Sequence, residues 1–273
     1  HQEDGYSDFF RERLIPHSLS SVGPAMAVGD INGDGLEDLF VGGAPGQASM
    51  IFVQQTKGDF APLNKLKFSD IALADLVDAA FFDADGDRDL DLIIVHGGNE
   101  FPVGDNLLSA QLWMNDGNGS FKDASQTSLP FTANNSSCVR FSDFDKDGDI
   151  DLFIGSESIP GAYGWSPNQL LLENDGKGHF IDITDSSAAG LKNIGMVTDA
   201  CWADYDKDGD SDLILAGEWM NVSIFRNDQG KFTDVTLSAG LNETSGWWNC
   251  LEVADVDGDG DLEIIGGNQG LNS

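Results

Sequence analysis

Five nine-residue stretches of this chain repeat one pattern of oxygen-bearing side chains, and that repetition restricts the fold more than any other feature. They run from Asp30 to Asp38, Asp83 to Asp91, Asp143 to Asp151, Asp204 to Asp212 and Asp255 to Glu263. Position one is always aspartate: Asp30, Asp83, Asp143, Asp204 and Asp255. Position three is Asn32, Asp85, Asp145, Asp206 and Asp257, and position five is Asp34, Asp87, Asp147, Asp208 and Asp259. Position seven, Leu36, Asp89, Asp149, Asp210 and Asp261, has a backbone carbonyl to offer, and Asp38, Asp91, Asp151, Asp212 and Glu263 close the pattern at position nine. Oxygen ligands at these spacings, with glycine at position six for the turn, form a cage for a hard cation, and its size suits Ca²⁺ better than the octahedral, water-retaining Mg²⁺. The loops start as an EF-hand does, but position twelve is never glutamate and each loop runs into a short apolar segment. The second loop departs with Arg88 in place of glycine, the first with neutral Asn32.

The stretches hold 24 of the chain's 47 acidic residues in about a sixth of its 273 positions. Carboxylates this close disfavour one another's ionised form, so bare loops are strained at neutral pH. Against only 14 lysines and arginines the acids give a net charge of −33. That charge excludes nucleic acid, which needs a basic footprint, and no run approaches the roughly 18 to 20 apolar residues of a membrane helix. The chain begins at His1 without methionine, which suggests a processed or excised segment. Three cysteines, Cys138, Cys201 and Cys250, are too few for a disulfide scaffold and read as small buried apolar residues on inner strands.

Short apolar segments flank every loop: Met26 to Val28 and Leu39 to Val41 around the first, Ala79 to Phe82 and Leu92 to Val95 around the second. The same holds for Cys138 to Phe141 with Leu152 to Ile154, Ala200 to Trp202 with Leu213 to Leu215, and Leu251 to Val253 with Ile264 and Ile265. Too short for helices, these read as buried strands A and B. Four times a third strand follows (Ile51 to Val53, Gln111 to Trp113, Leu170 to Leu172, Ser223 to Phe225) and enters a tight turn rich in Asn, Asp and Gly, which is hairpin chemistry. Successive loops start 53, 60, 61 and 51 residues apart. Four short strands per unit, repeated without helical interludes, predict an all-β fold, a β-propeller of four-stranded antiparallel blades with the acidic loops joining strands A and B. Residues 1–273 then form one domain.

The loops and the strands after them resemble the FG-GAP or VCBS repeats of integrin α-subunit propellers and of many secreted bacterial proteins. More narrowly, Leu14 to His17, Gly23 to Asp30, Gly246 to Asn249 and the closing Asn268 to Ser273 are similar to propellers associated with ASPIC/UnbV domains, the wider group of the cartilage acidic protein. The resemblance implies calcium, up to five ions, in the A–B loops and a ring of seven blades, of which this chain is an arc. Residues 8–15 look like an outer strand D, which could also pair with the last A–B hairpin and close a five-bladed ring.

In a meander blade the A–B and C–D turns share one face. Opposite them, the B–C connections hold Phe101, Tyr163, Trp165 and Trp219, and the last D–A connection holds Trp247 and Trp248. Exposed loops on a rigid scaffold carry binding chemistry, and aromatic rings offer flat faces to sugars or partner side chains. The expected function is a secreted or cell-surface binding or adhesion module for a glycan or protein ligand, with a structural subunit of a surface complex as the alternative. The alternative role of these rings is to plug gaps between blades. No Gly-x-Ser-x-Gly elbow, His-Glu-x-x-His site or Gly-Lys-Ser/Thr phosphate loop occurs, so catalysis ranks last, although an acid pair in the channel with a raised pKa would revive it. Asn118, Asn134, Asn135, Asn221 and Asn242 begin glycosylation sequons, which carry sugar only in a eukaryotic secretory pathway.

Overall fold

A computed structural model describes residues 5–63 and 74–270. Four antiparallel meanders follow one another in the chain. The first comprises β1 (Met26–Gly29), β2 (Asp38–Val41), β3 (Met50–Gln54) and β4 (Phe60–Pro62); the second β5 (Asp75–Phe82), β6 (Asp91–Gly97), β7 (Gln111–Met114) and β8 (Lys122–Asp123). The third comprises β9 (Asn135–Ser142), β10 (Asp151–Ser158), β11 (Leu170–Asn174) and β12 (Phe180–Asp182); the fourth β13 (Met196–Ala203), β14 (Asp212–Met220), β15 (Ser223–Asn227) and β16 (Phe232–Asp234). A hairpin of β17 (Gly246–Ala254) and β18 (Glu263–Asn268) ends the described chain. Every predicted A, B and C segment lies inside one of these strands.

The core is a series of layers between sheets. Ala27, Phe40 and Ile51 of the first sheet meet Ala79, Phe81 and Ile94 of the second, and Phe153 and Leu171 of the third meet Leu213, Leu215 and Phe225 of the fourth. Phe40 and Phe153 are completely buried, each contributing about 1.5–3 kcal/mol over an exposed ring. No sheet owns a core of its own, so each is stable only against its neighbours.

Residues 8–15 are not an outer strand. Asp8–Arg11 form one helical turn, α1, with Phe10 and Leu14 almost fully exposed. The buried Asp8 carboxylate accepts hydrogen bonds from the Ser18 hydroxyl (2.5 Å), the Leu19 and Ser20 amides (both 3.0 Å) and the Ser20 hydroxyl (2.8 Å). This folds the segment back on itself and leaves no edge for pairing.

The segment instead straps across the ends of three sheets. Arg11 Nη1 donates to the carbonyls of Asn99 (2.5 Å) and Phe101 (2.8 Å) beyond β6. Glu12 accepts from Asn99 Nδ2 at 2.7 Å and from the Tyr163 amide at 2.8 Å, and His17 reaches Glu218 of β14 at 2.7 Å. The fully buried Asn99 is the hub, because its backbone amide also donates to the Ser20 hydroxyl (2.7 Å) and its Oδ1 accepts from Gly161 N (2.8 Å).

Candidate metal loops and an aromatic face

Each acidic loop is folded by its own carboxylates. Positions four and six adopt left-handed backbone: Gly33 and Gly35 in the first loop, Gly86 and Arg88 in the second, Lys146 and Gly148 in the third, Lys207 and Gly209 in the fourth, Gly258 and Gly260 in the fifth. Amides of the turn then point inward. Asp30 accepts from Gly33 N (2.8 Å) and Gly35 N (2.7 Å), and Asp255 accepts from Gly258 N (2.7 Å) and Gly260 N (3.0 Å). That Arg88 adopts φ 76° without being glycine shows the loop dictating the backbone against the residue's preference.

Position nine anchors the loop to the sheet. One oxygen of Asp91, Asp151 and Asp212 accepts from the amide at position two (2.9, 3.2 and 2.9 Å). The other accepts from the end of the third strand, at Asn115, Asn174 and Asn227 (2.7, 2.9 and 2.7 Å). Burial first, then the carboxylates of the same loop, pushes Asp91 and Asp151 up to about 7 and Asp212 up to about 6.

Among the described residues, Asp83, Asp85 and Asp91 bring carboxylate oxygens within 4.8 Å of one another; so do Asp143, Asp145 and Asp151, then Asp204, Asp206 and Asp212, then Asp255, Asp257 and Asp259. The buried Oδ1 atoms of Asp143 and Asp204 have no hydrogen-bond partner. Clustered hard oxygens, raised pKa values and orphaned carboxylate oxygens fit a bound cation. In the first loop no such trio forms among the described residues; there Asn32 Nδ2 donates to Asp38 at 3.3 Å. At position seven the side chains look elsewhere: Asp210 pairs with Lys146 at 2.5 Å and Asp261 with Lys207, each lysine coming from the preceding sheet. A position-seven ligand in these loops, as at Leu36, is therefore the carbonyl.

On the opposite face, Trp219 is 57% exposed and holds φ 58°. Its ring lies 4.9 Å from that of Trp247, and its Nε1 donates to the Tyr163 hydroxyl at 3.2 Å. Tyr163 in turn donates to Glu218 Oε2, while Glu218 Oε1 faces His17 Nε2. The His17 ring stands 5.3 Å from Trp247 and 6.2 Å from Tyr163. Glu218 holds His17 up to about 9, so the imidazole is charged at neutral pH.

The FG-GAP-like repeat family matches residues 30–94, 100–154 and 204–266, about two thirds of the sequence, and each match begins at or ahead of an acidic loop. The chain belongs to the FG-GAP-like repeat family. Among solved structures it is similar in fold to an Agrocybe aegerita lectin described for specific recognition of non-reducing terminal N-acetylglucosamine, at 20% identity and TM-score 0.51, over 88% of this chain and 59% of the lectin's. The V. cholerae biofilm matrix protein Bap1 aligns at 17% identity and TM-score 0.44, over 90% of this chain and 34% of its own. The chain thus spans less than two thirds of either structure. No curated protein matches the sequence.

Within this FG-GAP propeller the aromatic residues divide. Trp219 and Trp247 lie in strands β14 and β17, not in connections, because β17 pairs with the end of β14 through Glu218 with Trp247 and Met220 with Gly246. Trp248, also in β17, packs against the cluster of Ile214, Ile224 and Leu251 and donates to the Thr244 carbonyl at 2.9 Å; it plugs a gap. Phe101 and Trp165 do sit in B–C connections, half-buried and 73% exposed respectively, apart from the Trp219 group. Of the cysteines only Cys138 is buried; Cys201 is half-buried and Cys250 exposed on the last hairpin, and all three are free. The Asn135 sequon is 1% exposed, with its side chain bonded to Gly98 N and Ser158 Oγ, so it has no room for a sugar.

Three groups carry no sequence signal of their own: His17, Glu218 and Asn99 meet their partners across up to 201 residues. A fourth was legible as repetition. Asn115, Asn174 and Asn227 each send Nδ2 to the carbonyl at position two of the preceding blade, Ile31, Ala84 and Phe144 (2.8, 2.8 and 2.6 Å). These asparagines clasp blade to blade, a role beyond turn formation.

Proposed function

We propose that this FG-GAP propeller is a glycan-binding module of the cell exterior, non-catalytic, whose acidic loops take up to five Ca²⁺ ions. The observation that carries the reading is Trp219: an exposed indole in a left-handed backbone, oriented by a hydrogen-bonded chain through Tyr163, Glu218 and His17. Strained, exposed, over-determined side chains mark functional sites, and paired aromatic faces suit the apolar faces of sugar rings. A lectin among the fold's neighbours agrees with this reading.

Ca²⁺ would be held by positions one, three, five and nine and the carbonyl at seven, from Asp30 through Glu263; it would neutralise the loops and fix each A–B hairpin. Weak extracellular calcium sites, with Kd of about 10⁻⁴ to 10⁻³ M, suit a secreted or surface protein. The blade sequence and its interlayer cores favour a larger ring, seven blades in the pattern the family resemblance implies. Glu157 and Glu218 line one pocket, and Glu157 is pushed up to about 7, but Glu218 has both oxygens engaged. An acid so occupied is poorly placed as nucleophile or base, which supports binding over catalysis.

The test is a glycan screen in millimolar Ca²⁺ with wild type, Trp219→Ala and Trp247→Ala. At least a tenfold loss of affinity with an unchanged circular dichroism spectrum is expected. Full retention in both variants, or absence of any glycan ligand, would falsify the proposal, and capture of a surface protein alone would favour the structural subunit.

A further inference from the structure

Beneath the aromatic face lies a pocket of about 240 Å³. Its lining includes His17 of the N-terminal strap, Ser136 and Glu157 of the third blade, Thr198 and Glu218 of the fourth, and Asn249 of β17. His17 and Glu218 belong both to this pocket and to the network that orients Trp219.

Most polar groups around the pocket are engaged within the protein. Glu218 uses one oxygen on His17 and the other on Tyr163, and Thr198 donates to the Trp248 carbonyl at 2.8 Å. Two groups are not. The Ser136 hydroxyl, 2% exposed, has no hydrogen-bond partner, and among the described residues the Glu157 carboxylate makes neither hydrogen bond nor ion pair. Burial raises the pKa of Glu157, Glu218 adds to the effect and His17 opposes it, but the His17 charge already faces Glu218 directly. The pocket is therefore short of one positive charge and of at least one hydrogen-bond partner.

A hard metal ion is a poor occupant, because calcium takes six to eight oxygens and among the described residues no trio of metal-ligating side chains converges here. An ammonium group fits better, with one compact charge and three donors.

We propose that the pocket receives the ammonium group of an amine-bearing sugar, held by the Glu157 carboxylate and the Ser136 hydroxyl, while the sugar ring lies against Trp219 and Trp247. This rests on the glycan-binding reading and narrows it to a substrate class. A free amine is required, since acetylation would remove both the charge and two of the donors.

Calorimetric titration of the calcium-loaded protein at pH 7 with glucosamine, N-acetylglucosamine and glucose tests it. Glucosamine should bind at least tenfold more tightly than the other two. Glu157→Gln, equal in volume, should erase that preference while leaving glucose binding unchanged, and Ser136→Ala should cost glucosamine a few-fold. Equal affinity for the three sugars, or a preference that survives Glu157→Gln, would overturn the amine inference and leave the glycan reading standing. Binding of none of them, alongside a failed glycan screen, removes both. A melting temperature for each variant, taken in the same buffer, separates loss of ligand from loss of fold.

Discussion

Trp219 holds a backbone conformation that any residue but glycine enters at a cost of order 1 kcal/mol. Two substitutions separate that cost from the ring's contribution. Trp219→Gly and Trp219→Ala both delete the ring, but at φ 58° only alanine keeps the strain. Trp219→Gly is expected to be the more stable of the two by about 1 kcal/mol in urea unfolding, with ligand binding lost in both. His17 gives the second residue-scale prediction. Its pKa of about 9 lies above the 6.5 of the unfolded chain, so its pairing with Glu218 stabilises fully below about pH 6.5 and fades as pH rises through 9. The groups facing it, Glu218, Glu157 and the Tyr163 ring, include no other cation, and Glu157, raised from 4.5 to about 7, favours its protonated form and so lowers stability as pH climbs between those values. Stability should fall steadily from pH 4.5 to 9. His17→Gln should flatten the limb above 6.5, worth on the order of 1 kcal/mol after solvent screening, as read from urea midpoints against pH.

At the scale of the element, the loop and the clasp act together. Asn174 reaches across to Ala84 and also bonds the Ile150 carbonyl (3.0 Å) of its own blade. Replacing it with alanine leaves one buried and one partly buried carbonyl without this donor, a loss of roughly 2–4 kcal/mol that should lower the denaturation midpoint without changing the far-ultraviolet spectrum. For the loops, Ca²⁺ at a hundred times its Kd adds about 2.7 kcal/mol per site. Asp143→Asn should remove one ion by native mass spectrometry and that share of the thermal gain; equal stabilisation by Mg²⁺ would contradict the calcium assignment.

Strands A, B and C were legible because period, glycine and aspartate signals repeat five times over. Residues 8–15 were not, since their apolar content suggested pairing while four hydrogen bonds to Asp8, invisible in sequence, decided for a turn of helix. Trp247 and Trp248 were misplaced for a similar reason. Pairing of β17 with the end of β14 draws the strand back to Gly246, and nothing local announces it.

For the whole molecule, a charge of −33 opposes compaction, and much of it sits in loops stacked along one face. In chelator the melting temperature should therefore rise with sodium chloride from 0.05 to 0.5 M, on a scale set by the Debye length of about 14 to 4 Å; in saturating Ca²⁺ the rise should be smaller. Differential scanning fluorimetry on both forms reads this directly, and an equal slope would mean that the loops do not bind the ion.

The strap and the clasps also impose an order in time. Each asparagine clasp points back to a carbonyl the ribosome has already delivered, so every emerging blade finds its docking place prepared, and growth runs one way. The strap does the reverse. Its residues are synthesised ahead of Asn99, Tyr163 and Glu218, all of which must exist before it can be fastened. What is made earlier is locked later, and the strap becomes a seal across these blades. Pulse-labelled exchange during refolding should find the Leu19 and Ser20 amides among the last protected.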